Sequence, residues 1–186
     1  MQALLKTRQR WCTLVALAIV LVGTEASGTT PLFDQFLHQG KLVDLHQAKK
    51  GWLDLPWSKE VQTLRTRHCS AIGGPRGKYR IEKERLWLTG LYTCGGDVSL
   101  EVAYGKSEPV LADWVTGELL FNTGKTLCIP RSYPGYSIYE TKVAVQVSSG
   151  VVLSIREESN ANRPEVPSVS TSGSTPPPCN ELVRNR

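Results

Sequence analysis

Between residues 32 and 156 the chain is written in short apolar runs that alternate with polar residues and break at glycines. Tyr139, Thr141, Val143, Val145 and Val147 alternate with Glu140, Lys142, Ala144 and Gln146. That two-residue period belongs to a strand with one face buried. Ser148-Ser149-Gly150 turns the run into a return strand with Val151, Leu153 and Ile155. A three-residue connection ending in glycine fits a hairpin whose last loop residue has positive φ. Asn122-Thr123-Gly124 predicts the same device between VLADWVTGELLF and KTLCI, with Asp113 and Trp114 sharing a strand. A third hairpin runs from Gly77–Ile81 through a charged turn near Lys83 to Arg85–Leu91. A fourth joins Phe33–Leu37 to Lys41–Leu45 through His38-Gln39-Gly40.

Helical signals are few. Ser99 reads as the cap of a single turn over Leu100–Tyr104, and no stretch keeps a 3.6-residue repeat for three turns. Trp52 and Trp57 flank Leu-Asp-Leu-Pro in a segment without periodicity, which predicts a covering loop. The pattern as a whole predicts an all-β domain over residues 30–156, a single small antiparallel barrel or sandwich with glycine-turn hairpins.

The two ends read differently. Lys6, Arg8 and Arg10 precede an apolar run from Trp11 to Val22, and small residues follow near Ala26. This is the pattern of a cleavable secretion signal over residues 1–26. The run is short of the roughly 20 residues that cross a bilayer. The expectation is therefore an exported, periplasmic protein with no transmembrane span after cleavage; an uncleaved signal anchored in the inner membrane is the alternative. From Glu157 to Arg186, Pro, Ser and Thr displace apolar residues, which predicts a disordered tail over residues 157–186.

Charge changes the picture only locally. The formal charge is +5, and removing Lys6, Arg8, Arg10 and Glu25 with the signal (three cations, one anion) leaves +3. Cations concentrate between Lys59 and Arg85, against Glu60, Glu82 and Glu84. Arg76, Lys78 and Arg80 in that stretch read either as a patch for an anionic envelope surface or as a solvated strand face. Nucleic acid is not expected as a partner, because no recognition helix or stacked-aromatic motif accompanies the charge.

Four cysteines follow the signal: Cys69, Cys94, Cys128 and Cys179. An even number in an exported chain predicts disulfides. Their spacing, with no CxxC and no nearby histidine pair, speaks against zinc. A turn centred near Lys83 sets residue 69 opposite about residue 97, which brings Cys94 close to Cys69 in register; closing that loop stabilises by about 3 kcal/mol in the chain-entropy account. Cys128 and Cys179 pair by elimination, with a free or intermolecular Cys179 as the alternative.

No residue set supports catalysis, a metal or a cofactor. His38 and His46, with Asp34 and Asp44, make a metal site only if they share a face; otherwise they are polar residues at a strand end. There is no GxSxG serine, and no cysteine is placed as a reactive thiol beside a histidine. Asp113 with Glu118 or Glu140 occupies outward positions of ordinary strands. The GGPRG of residues 73–77 lacks the ending of a phosphate loop. Among aromatics, Trp114, Tyr133 and Tyr136 either pack and seal the fold or line a surface that grips a partner.

The segments HQGKLVDL, RGKYRIEKERLWLTGLYTC, VLADWVTGELLFNTGKTL and PGYSIYETKVAVQVSSGVV resemble consecutive parts of a family of small exported bacterial β-rich proteins of unknown function. The likeness spans roughly residues 34–155. Its most specific parts are Asp113-Trp114 with Gly117, Gly124-Lys125, and Gly135-Tyr136 with Tyr139-Glu140. It departs from the family pattern at Gly77-Lys78-Tyr79, where a longer glycine-tyrosine strand is usual. The resemblance implies a β fold and cysteines near positions 69 and 94, and no activity. Together these readings predict a non-catalytic module that binds another envelope protein or an envelope component. The alternative is a lipocalin-like ring that holds a small apolar molecule.

Overall fold

The structure, a computed structural model, describes residues 32–66, 74–131, 137–168 and 175–180. Residues 1–26, where a signal is expected, lie outside them. Strands dominate: β1 Asp34–His38, β2 Lys41–Gln47, β3 Arg76–Glu82, β4 Arg85–Thr93, β5 Gly96–Val98, β6 Val110–Leu111, β7 Gly117–Cys128, β8 Ile138–Ser148 and β9 Val151–Ser159. Among the described residues two short helices interrupt them, α1 over Lys59–Thr66 and α2 over Leu100–Tyr104. Ser99 caps α2 by accepting from the Val102 amide, as its sequence predicts.

The strands form one sheet in the order β3-β1-β2-β7-β8-β9-β4-β5, with β6 on β4, and a β3–β4 pairing closes the path into a ring. The ring is mixed, which corrects the antiparallel expectation. β1 and β3 run parallel, with Gln35 beside Lys78 and Phe36 beside Tyr79. Parallel neighbours need a crossover longer than a hairpin; here the chain between β2 and β3, which includes α1, supplies it. The ring is thinnest between β4 and β9, which share the single pair Arg85↔Val151.

Three connections are two-residue turns with both residues at positive φ: Gln39-Gly40, Lys83-Glu84 and Ser149-Gly150. This conformation matches the twist of the flanking strands. The predicted three-residue loop before Val151 is therefore one residue shorter, Ser148 pairing with Val151, and the register shifts between Val147 and Gln146, where Leu153 has no partner on β8. A second correction concerns Asn122-Thr123-Gly124. No hairpin forms there: β7 runs through it against β8, and its register slips between Thr123 and Thr126. Gly124, at φ +82°, is a bulge residue, and the Glu140 carboxylate sits where its Cβ would be. That carboxylate accepts from the Lys125 amide at 3.0 Å. A glycine after two polar residues announces a positive φ, and both a turn and a bulge satisfy that requirement. Asp113 and Trp114 likewise sit in the turn between β6 and β7, not on a strand.

Inside the ring, Phe36, Leu45, Tyr79, Leu86, Leu88, Leu91, Leu119, Phe121, Val143, Val145 and Val147 form the core. The covering segment alternates: Leu53 and Leu55 are buried while Trp52 and Trp57 stay exposed. Ser58 begins α1, its Oγ accepting from the Val61 amide at 3.0 Å and donating to the Ala103 carbonyl at 2.7 Å. One hydroxyl thus caps α1 and docks it on α2, and Val61, Leu100 and Ala103 complete the core from that side.

β9 continues to Ser159, three residues past the boundary expected at 156. Beyond it Asn160 is buried, its side chain donating to the Tyr139 carbonyl at 2.9 Å. Cys128 and Cys179 are joined, and Ile129 forms a bridge with Pro178. The described parts of the segment expected to be disordered are therefore held to β7 and β8. Polar contacts and a crosslink do there what apolar burial could not.

Two stability outcomes follow. Replacing Cys128 and Cys179 by alanine, which opens a crosslink between residues 51 apart, lowers unfolding free energy by up to about 4 kcal/mol on the chain-entropy account. Chemical denaturation of the double variant checks it. A Cβ on Gly77 would meet the Tyr79 ring at 2.3 Å, so Gly77→Ala costs about 1–3 kcal/mol by overpacking, read from the shift in the thermal midpoint.

Candidate functional site: a cation–aromatic face anchored on a buried carboxylate

β3 alternates with the period of two. It sends Gly77 and Tyr79 inward and leaves Arg76, Lys78 and Arg80 in a row on its other face. The three candidate cations are thus brought together by one strand. The residues beside them were not foreseen. Trp52 of the covering segment stacks on the Arg76 guanidinium at 5.0 Å, and Lys78 lies over the Tyr92 ring at 5.7 Å. Arg76 is only 8% exposed and donates through Nε to the Leu32 carbonyl at 2.9 Å.

The row is not a bare positive patch. Lys78 pairs with Asp97 at 2.7 Å and Arg80 with Glu82 at 2.9 Å, while the Arg76 charge acts on Asp34. With an acid beside each cation, the field that an anionic surface would feel is weakened. What stands out instead is the aromatic content around held arginine.

Beneath this face lies Asp34, wholly buried. Its Oδ2 accepts from the Leu53 amide at 2.7 Å and its Oδ1 from the Gly77 amide at 2.8 Å. One carboxylate therefore ties the start of β1 to the covering segment and to β3. Burial raises its pKa to about 6, with the two amides and Arg76 pulling the other way. Tyr79 beside it is fully buried, its pKa pushed up by burial and then by the Asp34 charge, and its hydroxyl has no hydrogen-bond partner among the described residues. Tyr92, raised to about 12 chiefly by burial, donates its hydroxyl to the Phe33 carbonyl.

Other predicted residues are placed differently. Trp114 donates its indole N–H to the Asp54 carbonyl at 2.9 Å and packs against the core. Tyr133, Tyr136, His68 and Cys69 lie outside the described residues; Cys94 is disulfide-bonded. His46 packs edge-on against Phe33 at 4.6 Å and His38 against Phe121 at 5.1 Å. Among the described residues no group of three His, Cys, Asp or Glu side chains is placed to hold a metal ion. Glu118 is bound to Arg156 at 2.8 Å and Glu140 fills the Gly124 bulge, so these carboxylates have partners within the fold.

A shallow groove of about 300 Å³ lies elsewhere, lined by Phe33, Asp44, His46, Asn122, Ser137 and Tyr139 among others. Burial lowers the His46 pKa against the opposing pull of Asp44. A neutral imidazole beside amide, hydroxyl and carboxylate groups can hydrogen-bond a small polar molecule. Among the described residues no helix is long and apolar enough to cross a membrane.

No family model, no curated protein and no solved structure matches this chain. The motif residues behind the resemblance have work within the fold that the geometry explains. Gly124, Lys125 and Glu140 lock the β7 bulge, and Trp114 holds the covering segment. The Gln47 side chain donates to the Thr116 carbonyl next to Gly117.

Asp34 makes a pH-dependent contribution with a definite sign. Its folded pKa of about 6 lies above the ordinary 3.8, so the folded state holds the proton more tightly than the unfolded chain. The stabilisation is fully present below pH 3.8 and is lost as pH rises through 6. Between pH 7 and pH 4 the wild type should gain about 2 kcal/mol relative to Asp34→Asn, which cannot titrate. Urea titrations of both proteins at the two pH values read this difference.

Proposed function

We propose that this chain is a non-catalytic, exported binding module whose covering segment presents tryptophans to a protein partner in the cell envelope. The observation that carries the reading is Trp57, 76% exposed on a segment fixed on both sides. Pro56 accepts from the Tyr104 hydroxyl at 3.3 Å, and Ser58 is bonded to Ala103 and Val61. The backbone is pinned while the ring stands in water. Trp52, 44% exposed over Arg76, extends the same segment. Exposed aromatic side chains on a rigid support, next to arginine, are what interface hot spots are made of. Little entropy is then lost when a partner covers them.

In this reading the mixed ring serves as a small barrel whose interior is filled. Tyr79, Phe36, Phe121 and the core leucines occupy it, which supports a surface site over an internal apolar ligand. The paired acids beside Lys78 and Arg80 support a protein partner over an anionic lipid surface. Export to the periplasm, rather than retention by an uncleaved signal, rests on the short apolar run from Trp11 to Val22.

Native mass spectrometry of the protein purified from periplasm should show a stoichiometric protein partner. With that partner in hand, Trp57→Ala should weaken binding about 30-fold, the loss expected of a hot-spot residue, without lowering the thermal midpoint. A lipid-like species held by the ring, or undiminished affinity in the variant, would overturn the reading.

A further inference from the structure

We propose that the groove between β2, β7 and the start of β8 is a binding site for a neutral N-acetylated sugar unit. The inference does not rest on the tryptophan segment, which contributes nothing to the lining of the groove.

Strand alternation places the first residues of the site. On β2, Leu45 enters the core, so Leu42, Asp44 and His46 share the opposite, outward face. On β7, Phe121 is buried and Asn122 faces outward, one step past the Leu45↔Phe121 pair, which sets it beside Asp44. The outward face of a ring is ordinarily convex. Here the register of β7 slips between Thr123 and Thr126, and a bulged strand bends and re-aims its side chains. Ser137 and Tyr139 line the same hollow as Asp44, His46 and Asn122. Its volume of about 300 Å³ is at the small end of ligand sites, which suits one or two sugar rings.

The chemistry of the lining selects the ligand. Among the described residues, the side chains of these five polar residues make no hydrogen bond or ion pair with the rest of the chain. Glu118 and Glu140, on the same two strands, are by contrast bound to Arg156 and to the Lys125 amide. A carboxylate only accepts, while an amide and a hydroxyl both donate and accept. Burial lowers the His46 pKa against the pull of Asp44, which leaves a neutral ring with one donor and one acceptor. A sugar hydroxyl likewise does both, and two neighbouring hydroxyls can donate to one carboxylate. Phe33, edge-on to His46 at 4.6 Å, and Leu42, 49% exposed, give the groove an apolar side. An acetyl methyl fits that side, and the amide that carries it matches Asn122. Charge narrows the class further. Asp44 is the one charged side chain among the described lining residues, so an anion is repelled. A simple cation would engage Asp44 and leave the amide, hydroxyls and imidazole unused.

Titration of the isotope-labelled full chain with N-acetylglucosamine, followed by amide chemical shifts, tests this. Saturable shifts are expected at Asp44, His46 and Asn122, with the weak affinity of an open, shallow groove. Glucose, which lacks the acetyl group, should bind several-fold more weakly. Asp44→Asn and Asn122→Ala should each raise the dissociation constant about tenfold. The thermal midpoint should not move, because neither side chain is bonded within the fold. Chitobiose, the linked dimer, separates the sources: tighter binding than the monomer marks a glycan chain as the ligand, and equal binding a free sugar. No saturable shift with either N-acetylated probe overturns the proposal. So does a response to glucose as strong as that to N-acetylglucosamine, or an affinity indifferent to both variants. Trp57→Ala should leave the titration unchanged, so a failure of the groove and a failure of the tryptophan surface are read separately.

Discussion

A carboxylate without water around it organises this molecule. Asp34 is buried at the first residue of β1, and its two oxygens take the backbone amides of Leu53 and Gly77. Those amides belong to the covering segment and to β3, the two parts of the chain that a hairpin could not have brought to β1. Satisfying a buried charge is stringent, since an unpaired one costs far more than a neutral group. The same stringency makes the bond directional. Once Asp34 is paired, the covering segment lies where Leu53 and Leu55 enter the core and Trp52 reaches Arg76. The parallel β1–β3 pairing, the packing of Tyr79 over Gly77 and the row of cations on β3 then follow from one placement.

The ring around that centre is unevenly closed. β7 and β8 pair over nearly their whole length, whereas β4 and β9 meet at one residue pair. The thin seam leaves the inner face of β9 in water past Val152, which is why Ile155 is exposed although it faces the same way as Val145. Exposed apolar surface at the seam and on the covering segment is unrelated. Each has its own physical cause. At the seam a strand has no neighbour; on the covering segment the backbone is pinned and only the rings stand free.

Several elements were legible because they depend on local chemistry. The hairpin over Gln39-Gly40, the α2 cap at Ser99 and the strand from Ile138 to Ser148 follow from turn residues, a capping hydroxyl and alternation. The Gly124 position was legible only as a positive φ. Whether a glycine there turns the chain or bulges it depends on Glu140 of the next strand, sixteen residues on. Arg76, Lys78 and Arg80 were visible as a charged stretch, but not the acids and rings that answer them. Asp97, Tyr92 and Trp52 reach the row only through strand pairing and the covering segment. Asp34 itself carries no local signal that separates it from any polar residue at a strand start.

The sequence by itself determined the secondary structure class, the hairpins over Gln39-Gly40, Lys83-Glu84 and Ser149-Gly150, and the pairing of Cys128 with Cys179 as one option among three. These are properties of neighbours in the chain, written in periodicity and composition. Among the described residues, tertiary structure alone decided that the sheet is mixed, that parts of the C-terminal segment are held to β7 and β8, and that one edge of β9 is left open. Those outcomes turn on which distant amides reach a buried carboxylate and where a ring of strands fails to close. Neither is a property of any window of residues, because each depends on partners that only folding brings within hydrogen-bonding distance.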